Sequence, residues 1–400
     1  MKNINLEDYS YTLHESKIAK YPLKERDQSS LLLSLSGKIS HDKFRNIVNY
    51  LSGNDILVFN DSRVVRARIH MKKETGAMIE VFCLEPHLPI DFERNFASYG
   101  PVKWKCLIGN LKKWKSGLIS KKFTHNGTER YVWAKRLEKA GDSWIVEFDW
   151  NDKSLTFSDV LTLTGRIPIP PYLNRPDEDL DIDRYQTIYC KTDGSVAAPT
   201  AGLHFTERVL KDIESKGIKK TSVTLHVSSG TFKPVKGLNI TDHEMHTEHF
   251  YVTPESIEAI KSGRVISVGT TSLRTLESIY WIGVNLISAR FNPAIGPYVG
   301  QWDPYGPHRD ISSAEALDAV LGYIESLPTR ILEARTSLII VPGYRFRIVK
   351  GLITNFHQPK STLLLLLAAF AGERWREIYD YALKNDFRLL SYGDSSLIIP

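Results

Sequence analysis

Residues 264–281 read RVISVGTTSLRTLESIYW, and the order of parts in this stretch decides the fold class. Arg264–Thr271 reads as a buried strand, rich in β-branched residues, and Ser272–Trp281 as a helix on which apolar residues return at helical spacing. A strand feeding a helix is the repeating unit of an α/β body. The same rhythm extends in both directions. Upstream, Thr206 can cap a helix whose apolar face is Val209, Leu210 and Ile213 and which Gly217 stops. Thr253-Pro254 opens another that ends at Gly263, with proline at the first helical position. Downstream, Leu352–Thr354 reads as a strand, and Ser361 caps the helix carrying a leucine run. Ile56–Phe59 is a buried-type strand expected to join the same sheet.

Residues 66–150 break this rhythm. Gly76–Glu85, Val102–Gly109 and Asp142–Trp150 are short segments rich in Val, Ile, Phe and Trp, and Asn126-Gly127 is a hairpin signal. Regular spacing of such segments predicts a small antiparallel β-barrel or sandwich. The predicted organisation is therefore a mixed α/β main domain, residues 1–65 and 151–400, interrupted by an inserted barrel domain, residues 66–150.

Composition narrows the class of protein. The chain has 400 residues, 42% hydrophobic and 24% charged, with a net charge of +6, so it can bury a full core and tolerates an anionic partner such as RNA. Its three cysteines form no CxxC pair, which argues against a thiolate zinc site or a disulfide framework and for a reducing cytoplasm. The first residues, MKNINLEDYS, lack the apolar core of a signal peptide. The apolar run Leu363–Ala371 is far short of the ~20 residues of a membrane span. A soluble cytoplasmic protein without a membrane partner is expected.

Several loops carry polar residues where strands or helices end, the usual place for sites on α/β scaffolds. Asn60-Asp61-Ser62-Arg63 follows the Ile56–Phe59 strand and can equally form an Asx turn. GRIPIPPY, residues 165–172, is stiffened by three prolines and reads by default as a rigid linker. Arg184–Phe205 strings Arg184, Tyr185, Gln186, Ser195, Thr200 and His204 among small residues, a stretch too irregular for core packing and suited to close approach of a ligand. HEMHTEH spaces His243, His246 and His249 by three. It lacks the i, i+4 pair of a zinc helix, so no metal is expected there and a substrate-binding edge or a plain surface loop fits better. His226, in VTLHV, can be a core histidine or a site residue. Thr270, Thr271 and Ser272 bring hydroxyls and amides to a helix start, with Arg274 one turn in, which suits a carboxylate or phosphate. TNFHQPKST brings Asn355, His357, Lys360 and Ser361 together. Its Lys-Ser-Thr ending lacks P-loop glycines, and no GxGxxG follows a strand, which disfavours both a nucleoside-triphosphate site and a Rossmann methyltransferase. In the insert, seven lysines between Lys103 and Lys122 interleave with Trp104 and Trp114. That is either an RNA-holding surface with stacking aromatics or a solvated barrel face over core tryptophans.

These loops, in this order, resemble the S-adenosylmethionine:tRNA ribosyltransferase-isomerase family of the queuosine pathway. NDSRVVRAR, GRIPIPPYL, DRYQTIY, GSVAAPTAGLHFT, HEMHTE, VGTTSLRTLES, LITNFHQPKSTLLLLLAAFAG and LLSYGDSSLI carry the resemblance across nearly the whole chain. GSVAAPTAGLHF together with LITNFH and PKSTL is its most specific part. The resemblance implies a mixed α/β fold with an inserted barrel. It implies transfer and isomerisation of the ribosyl part of S-adenosylmethionine onto 7-aminomethyl-7-deazaguanine at the tRNA wobble position, giving epoxyqueuosine, adenine and methionine. S-adenosylmethionine is then a consumed substrate, no cofactor is required, and a monomer suffices. On this reading His204, His226 and Asp61 are the proton-transfer candidates, and Arg63, Arg274 and Lys360 bind the donor's carboxylate or RNA phosphates. The chain departs from the family pattern at Arg66, at Ser228-Ser229 beside His226, at Lys350-Gly351, and in a longer segment over 285–335. These departures leave two alternatives open, an RNA-binding paralogue without catalysis and an enzyme acting on another amine.

Overall fold

A computed structural model of the chain describes residues 4–227, 237 and 239–400. Ser228-Ser229 therefore lie outside the described residues. The main body is built on a ten-stranded mixed sheet. Four neighbouring strands at its centre, Lys219–Leu225, Asp55–Asn60, Arg264–Val268 and Val349–Asn355, run parallel. Their carboxyl ends emerge along one edge. Asp55–Asn60 is buried at every position, as a strand covered on both faces must be. On either side the sheet continues with antiparallel partners, Glu248–Val252 next to Lys219–Leu225 and Ser395–Ile399 next to Val349–Asn355.

The helix after Arg264–Val268 begins at Thr270 and runs to Ile287, earlier and longer than the sequence suggested. Gly283 allows the extension. A β-carbon there would lie 2.1 Å from the Ala316 carbonyl, on the packed helix Ser313–Ser326. That second helix occupies the long 285–335 segment, and a capping box of Ser312 and Glu315 starts it.

Six antiparallel strands between Arg68 and Trp150 close into a barrel. Asn126 and Gly127, both at positive φ, make the tight turn between Leu118–His125 and Thr128–Ala140. Trp104, Phe148 and Trp150 fill the barrel core together with Phe157, Val160 and Leu161 of the helix Phe157–Thr164. Entry and exit chains touch at one point, where Arg68 and Arg166 exchange backbone hydrogen bonds of 3.3 and 2.8 Å. Only glycine fits beside that contact, since a β-carbon on Gly165 would lie 1.8 Å from the Arg66 carbonyl oxygen.

The barrel removes base stacking from the two readings left open for the insert. Trp104 and Trp114 are wholly buried, their indole N–H groups bonded to Asn95 Oδ1 and the Gly117 carbonyl, so neither can stack on a base. Lys103, Lys105 and Lys122 pair with Glu147, Glu85 and Glu129, and Lys121 donates to the Thr164 carbonyl. Lys112, Lys113 and Lys115 remain as the exposed cations of this set. Among the described residues no helix is long and apolar enough to cross a membrane.

Candidate functional site

A cleft opens over the carboxyl ends of Arg264–Val268 and Val349–Asn355. One wall is the first turn of the Thr270–Ile287 helix. Gly269 precedes it at φ +95° and ψ 153°, a conformation that side chains disfavour, so the chain can turn sharply out of the strand. The amides of Thr270, Thr271 and Ser272 have no acceptor within the helix, and the positive end of its dipole faces the cleft. One turn in, Arg274 is held by two bonds, Nε to the Leu338 carbonyl at 3.1 Å and Nη1 to Glu248 at 2.7 Å. Glu248 also meets His246 Nε2 at 3.1 Å. Arg274 Nη2 is buried with no partner among the described residues.

The opposite wall comes from Thr354–Gln358, from Tyr185 and from Ala197–Ala201. His357 bonds Thr354 Oγ1 at 3.0 Å, and burial pulls its pKa down to about 4. Asn355 donates to the Leu390 carbonyl at 3.1 Å and hydrogen-bonds the His204 ring. Burial raises the pKa of the Tyr185 hydroxyl, partly opposed by hydrogen bonding to Ala198 and Ser391. His204 lines an adjoining recess that shares Ser391 with the cleft. Ser29 Oγ meets its Nδ1 at 2.8 Å, and burial, partly opposed by Asp394 and by the Asn355 hydrogen bond, lowers its pKa to about 4. Buried polar atoms are nearly always paired, so the orphaned Arg274 Nη2 beside a helix amino end marks the seat of an anionic group.

Asp61 and His226 are elsewhere. They line a second cleft, where the barrel-side helix Phe92–Phe96 meets the main sheet. Ser222 and Thr224 hydroxyls donate to Asp61 at 2.9 and 2.6 Å. The His226 ring is stacked on Phe92 at 4.5 Å and meets Tyr251 edge-on at 5.6 Å. Burial, with His249 nearby, lowers its pKa to about 3. Gly194 makes room for it, because a β-carbon there would lie 2.5 Å from the ring. The three proton-transfer candidates thus do not form one constellation. The extended chain around Ser195–Ala198 bonds Val227 on both sides of its peptide and partitions the clefts, so His226 faces one and Val227 the other.

Several expected ligand contacts are spent on architecture. Asn60 binds both the amide and the carbonyl of Leu225, and Gln186 does the same to Val64. Ser195 bonds the Ala197 carbonyl, Ser272 the Val268 carbonyl, and Arg184 the carbonyls of Leu23 and Lys24. Ser361 caps the Thr362–Ala371 helix while lining the cleft, and Lys360 pairs with Glu7. Arg63 lies half exposed, 3.7 Å from Asp193. The His243 carbonyl accepts from Gln301, and His246 reaches the cleft only through Glu248. The Arg184–Phe205 stretch, expected to be too irregular for packing, is mostly buried, with Tyr185 and Phe205 wholly so. Tyr172, Ser391, Ser29 and Glu248 were not singled out from sequence. Tyr172, Ser391 and Glu248 fall within quoted motifs, but Glu248 matters only because the fold seats it against Arg274.

An α/β body that gathers buried polar groups, an unsatisfied guanidinium nitrogen and a helix amino end at the carboxyl edge of parallel strands defines a small-molecule-binding enzyme scaffold. The chain belongs to the queuosine biosynthesis protein family, whose sequence profile matches residues 6–398. It is an enzyme of the transferase-isomerase kind. A relative from Trichlorobacter lovleyi named S-adenosylmethionine:tRNA ribosyltransferase-isomerase is 37% identical, over 98% of this chain and 99% of that one. One of the same name from Staphylococcus haemolyticus is also 37% identical, over 99% and 100%. The crystal structure of the S-adenosylmethionine tRNA ribosyltransferase of Thermotoga maritima aligns over 98% of this chain and 100% of that one, with 26% identity and a TM-score of 0.46.

Proposed function

We infer that this enzyme moves the ribosyl part of S-adenosylmethionine onto 7-aminomethyl-7-deazaguanine at the wobble position of cytoplasmic tRNA, isomerising it to epoxyqueuosine and releasing adenine and methionine. Family membership supports the reaction class. The first cleft, with its helix amino end and unsatisfied Arg274 Nη2, is the observation that carries the donor's placement. The donor's carboxylate matches those two features, and the buried Tyr185 and Asn355 groups suit a polyhydroxylated ribose or a nucleobase. His246 contributes by way of Glu248, which orients Arg274.

The chemistry asks for two proton movements. The sulfonium acidifies the adjacent 5′ carbon and makes methionine a good leaving group, so a base must take that proton, and an acid must assist adenine's departure. His204, held neutral by burial and oriented by Ser29, serves the donor side. Asp61 and His226, in the second cleft, are assigned proton transfer on the acceptor's side. The half-exposed Arg63 and Lys360 suit RNA phosphates rather than the buried carboxylate.

The test is a pair of labelled donors. With precursor tRNA, label in the ribose should enter the tRNA, label in the methyl group should not, and nuclease digests should contain epoxyqueuosine by mass. Methyl label retained in the tRNA would sink the reading.

A further inference from the structure

Residues 356–361 form one wall of the donor cleft, through Phe356, His357, Gln358 and Ser361, yet belong to neither a strand nor a helix. A loop has no ladder of its own to fix it, so its rigidity must come from outside. Two tyrosines supply it. The Tyr379 hydroxyl accepts from the His357 amide at 2.8 Å, and the Tyr11 hydroxyl donates to the His357 carbonyl at 2.6 Å. The two rings lie 4.8 Å apart at 53°, so each buttresses the other.

Both tyrosines are themselves held. Tyr379 is buried on the helix Trp375–Lys384. The segment carrying Tyr11 is fastened to the same loop twice more, by the Lys360 amide donating to the Tyr9 carbonyl at 2.9 Å and by the Lys360–Glu7 ion pair. Burial raises both phenol pKa values, so neither bond is lost to ionisation near neutral pH. Neither Tyr11 nor Tyr379 lines the cleft, so each can reach a ligand only through the residue it holds.

That residue is suited to a ligand. Thr354 Oγ1 takes His357 Nε2 at 3.0 Å, which leaves Nδ1 for a partner in the cleft. Burial keeps the ring neutral, so it offers a hydrogen bond and not a charge. Such a bond depends on placement to within about 0.5 Å, and the ring moves with the peptide that carries it. Water could satisfy a buried amide and carbonyl, but two packed phenol rings fix both at once. We infer that Tyr11 and Tyr379 are positioning residues that set where the His357 ring meets S-adenosylmethionine, a role that rests on the donor placement proposed above. A purely structural clamp would predict lost stability alone.

Calorimetric titration with S-adenosylmethionine, paired with urea unfolding, separates the two roles. Tyr11→Phe and Tyr379→Phe each remove one hydroxyl and keep the ring. Each is expected to weaken donor binding by about fivefold to tenfold, while the KM for tRNA stays at the parent's value. His357→Ala should weaken donor binding at least as much. Adding Tyr11→Phe to it should weaken binding no further, because the tyrosine acts through that ring. Tyr280→Phe is the control. It also removes a tyrosine-to-carbonyl bond, to Ile311 at 2.8 Å, but lies outside the cleft, so it should cost stability and leave donor affinity unchanged. Parent-like affinity in both tyrosine variants, or losses that add fully to that of His357→Ala, would overturn the positioning role and leave the donor site standing. A parent that binds no S-adenosylmethionine, or a His357→Ala variant that binds it as tightly as the parent, would overturn the donor placement and the positioning role with it.

Discussion

Asn60 and Gln186 look like ligand contacts in sequence, yet each clamps both polar groups of a distant backbone segment. His204, His226 and His357 are the reverse case, polar side chains that burial leaves charge-free. Their pKa values fall to about 4, 3 and 4 from the ordinary 6.5. Each ring is neutral in the native protein and takes up a proton on unfolding between pH 6.5 and its native value. The unfolded chain therefore binds more protons in that window. The contribution of these rings to stability is complete above pH 6.5 and is lost as pH falls through the window, by about 1.4 kcal/mol per pH unit for each ring. Urea unfolding measured from neutral pH down to about pH 5 should show this decline, and His357→Gln should flatten it by about one proton. A variant with the parent's slope would mean that His357 titrates normally in the folded protein.

Among elements, the Thr270–Ile287 helix does the most to join fold and site. Its first turn faces the donor cleft, and two turns in Glu277 anchors it to the chain leading into Val349–Asn355. That carboxylate is fully buried and accepts from Tyr344 Oη at 2.9 Å and from the amides of Arg347, Ile348 and Val349 at 2.9 to 3.0 Å. Glu277→Ala would strand four donors in the interior and should destabilise the protein by about 3–5 kcal/mol. Calorimetric or urea unfolding measures this directly, and a loss under about 1 kcal/mol would show that water replaces the carboxylate. Helix starts were legible in the sequence. Thr206, Thr253 and Ser361 each accept the expected amide three residues on. Glu277 was not, because its importance depends on which backbone the helix packs against.

For the whole molecule, burial of Trp104 and Trp114 removes base stacking from the barrel and leaves Lys112, Lys113 and Lys115 as its exposed basic cluster. If that cluster meets tRNA, changing all three to Gln should weaken tRNA binding. It should also flatten the salt dependence by about 0.9 log units per lost phosphate contact in a duplex, or about 0.7 in a single strand. Affinity for S-adenosylmethionine should not move, since the donor cleft belongs to the main body. An unchanged tRNA affinity and salt slope would assign RNA binding to other surfaces.

Local grammar alone determined much of this protein. Strand runs, capping residues, the Asn126-Gly127 turn and the mixed α/β class with a barrel are written in residue order, because they depend on backbone preference and the periodicity of side chains. The tertiary structure decided the site. The sequence does not say which of Asp61, His204 and His226 share a site, and only the passage of the Ser195–Ala198 chain beside Val227 puts His204 on one side and the other two across a partition. Likewise, whether a lysine is free or paired, a tryptophan exposed or buried, an asparagine free or spent depends on partners at separations from 3 residues, for Trp114 and Gly117, to 165, for Asn60 and Leu225. Desolvation and hydrogen bonding act through space, and a single chain's sequence records neither the neighbour nor the distance.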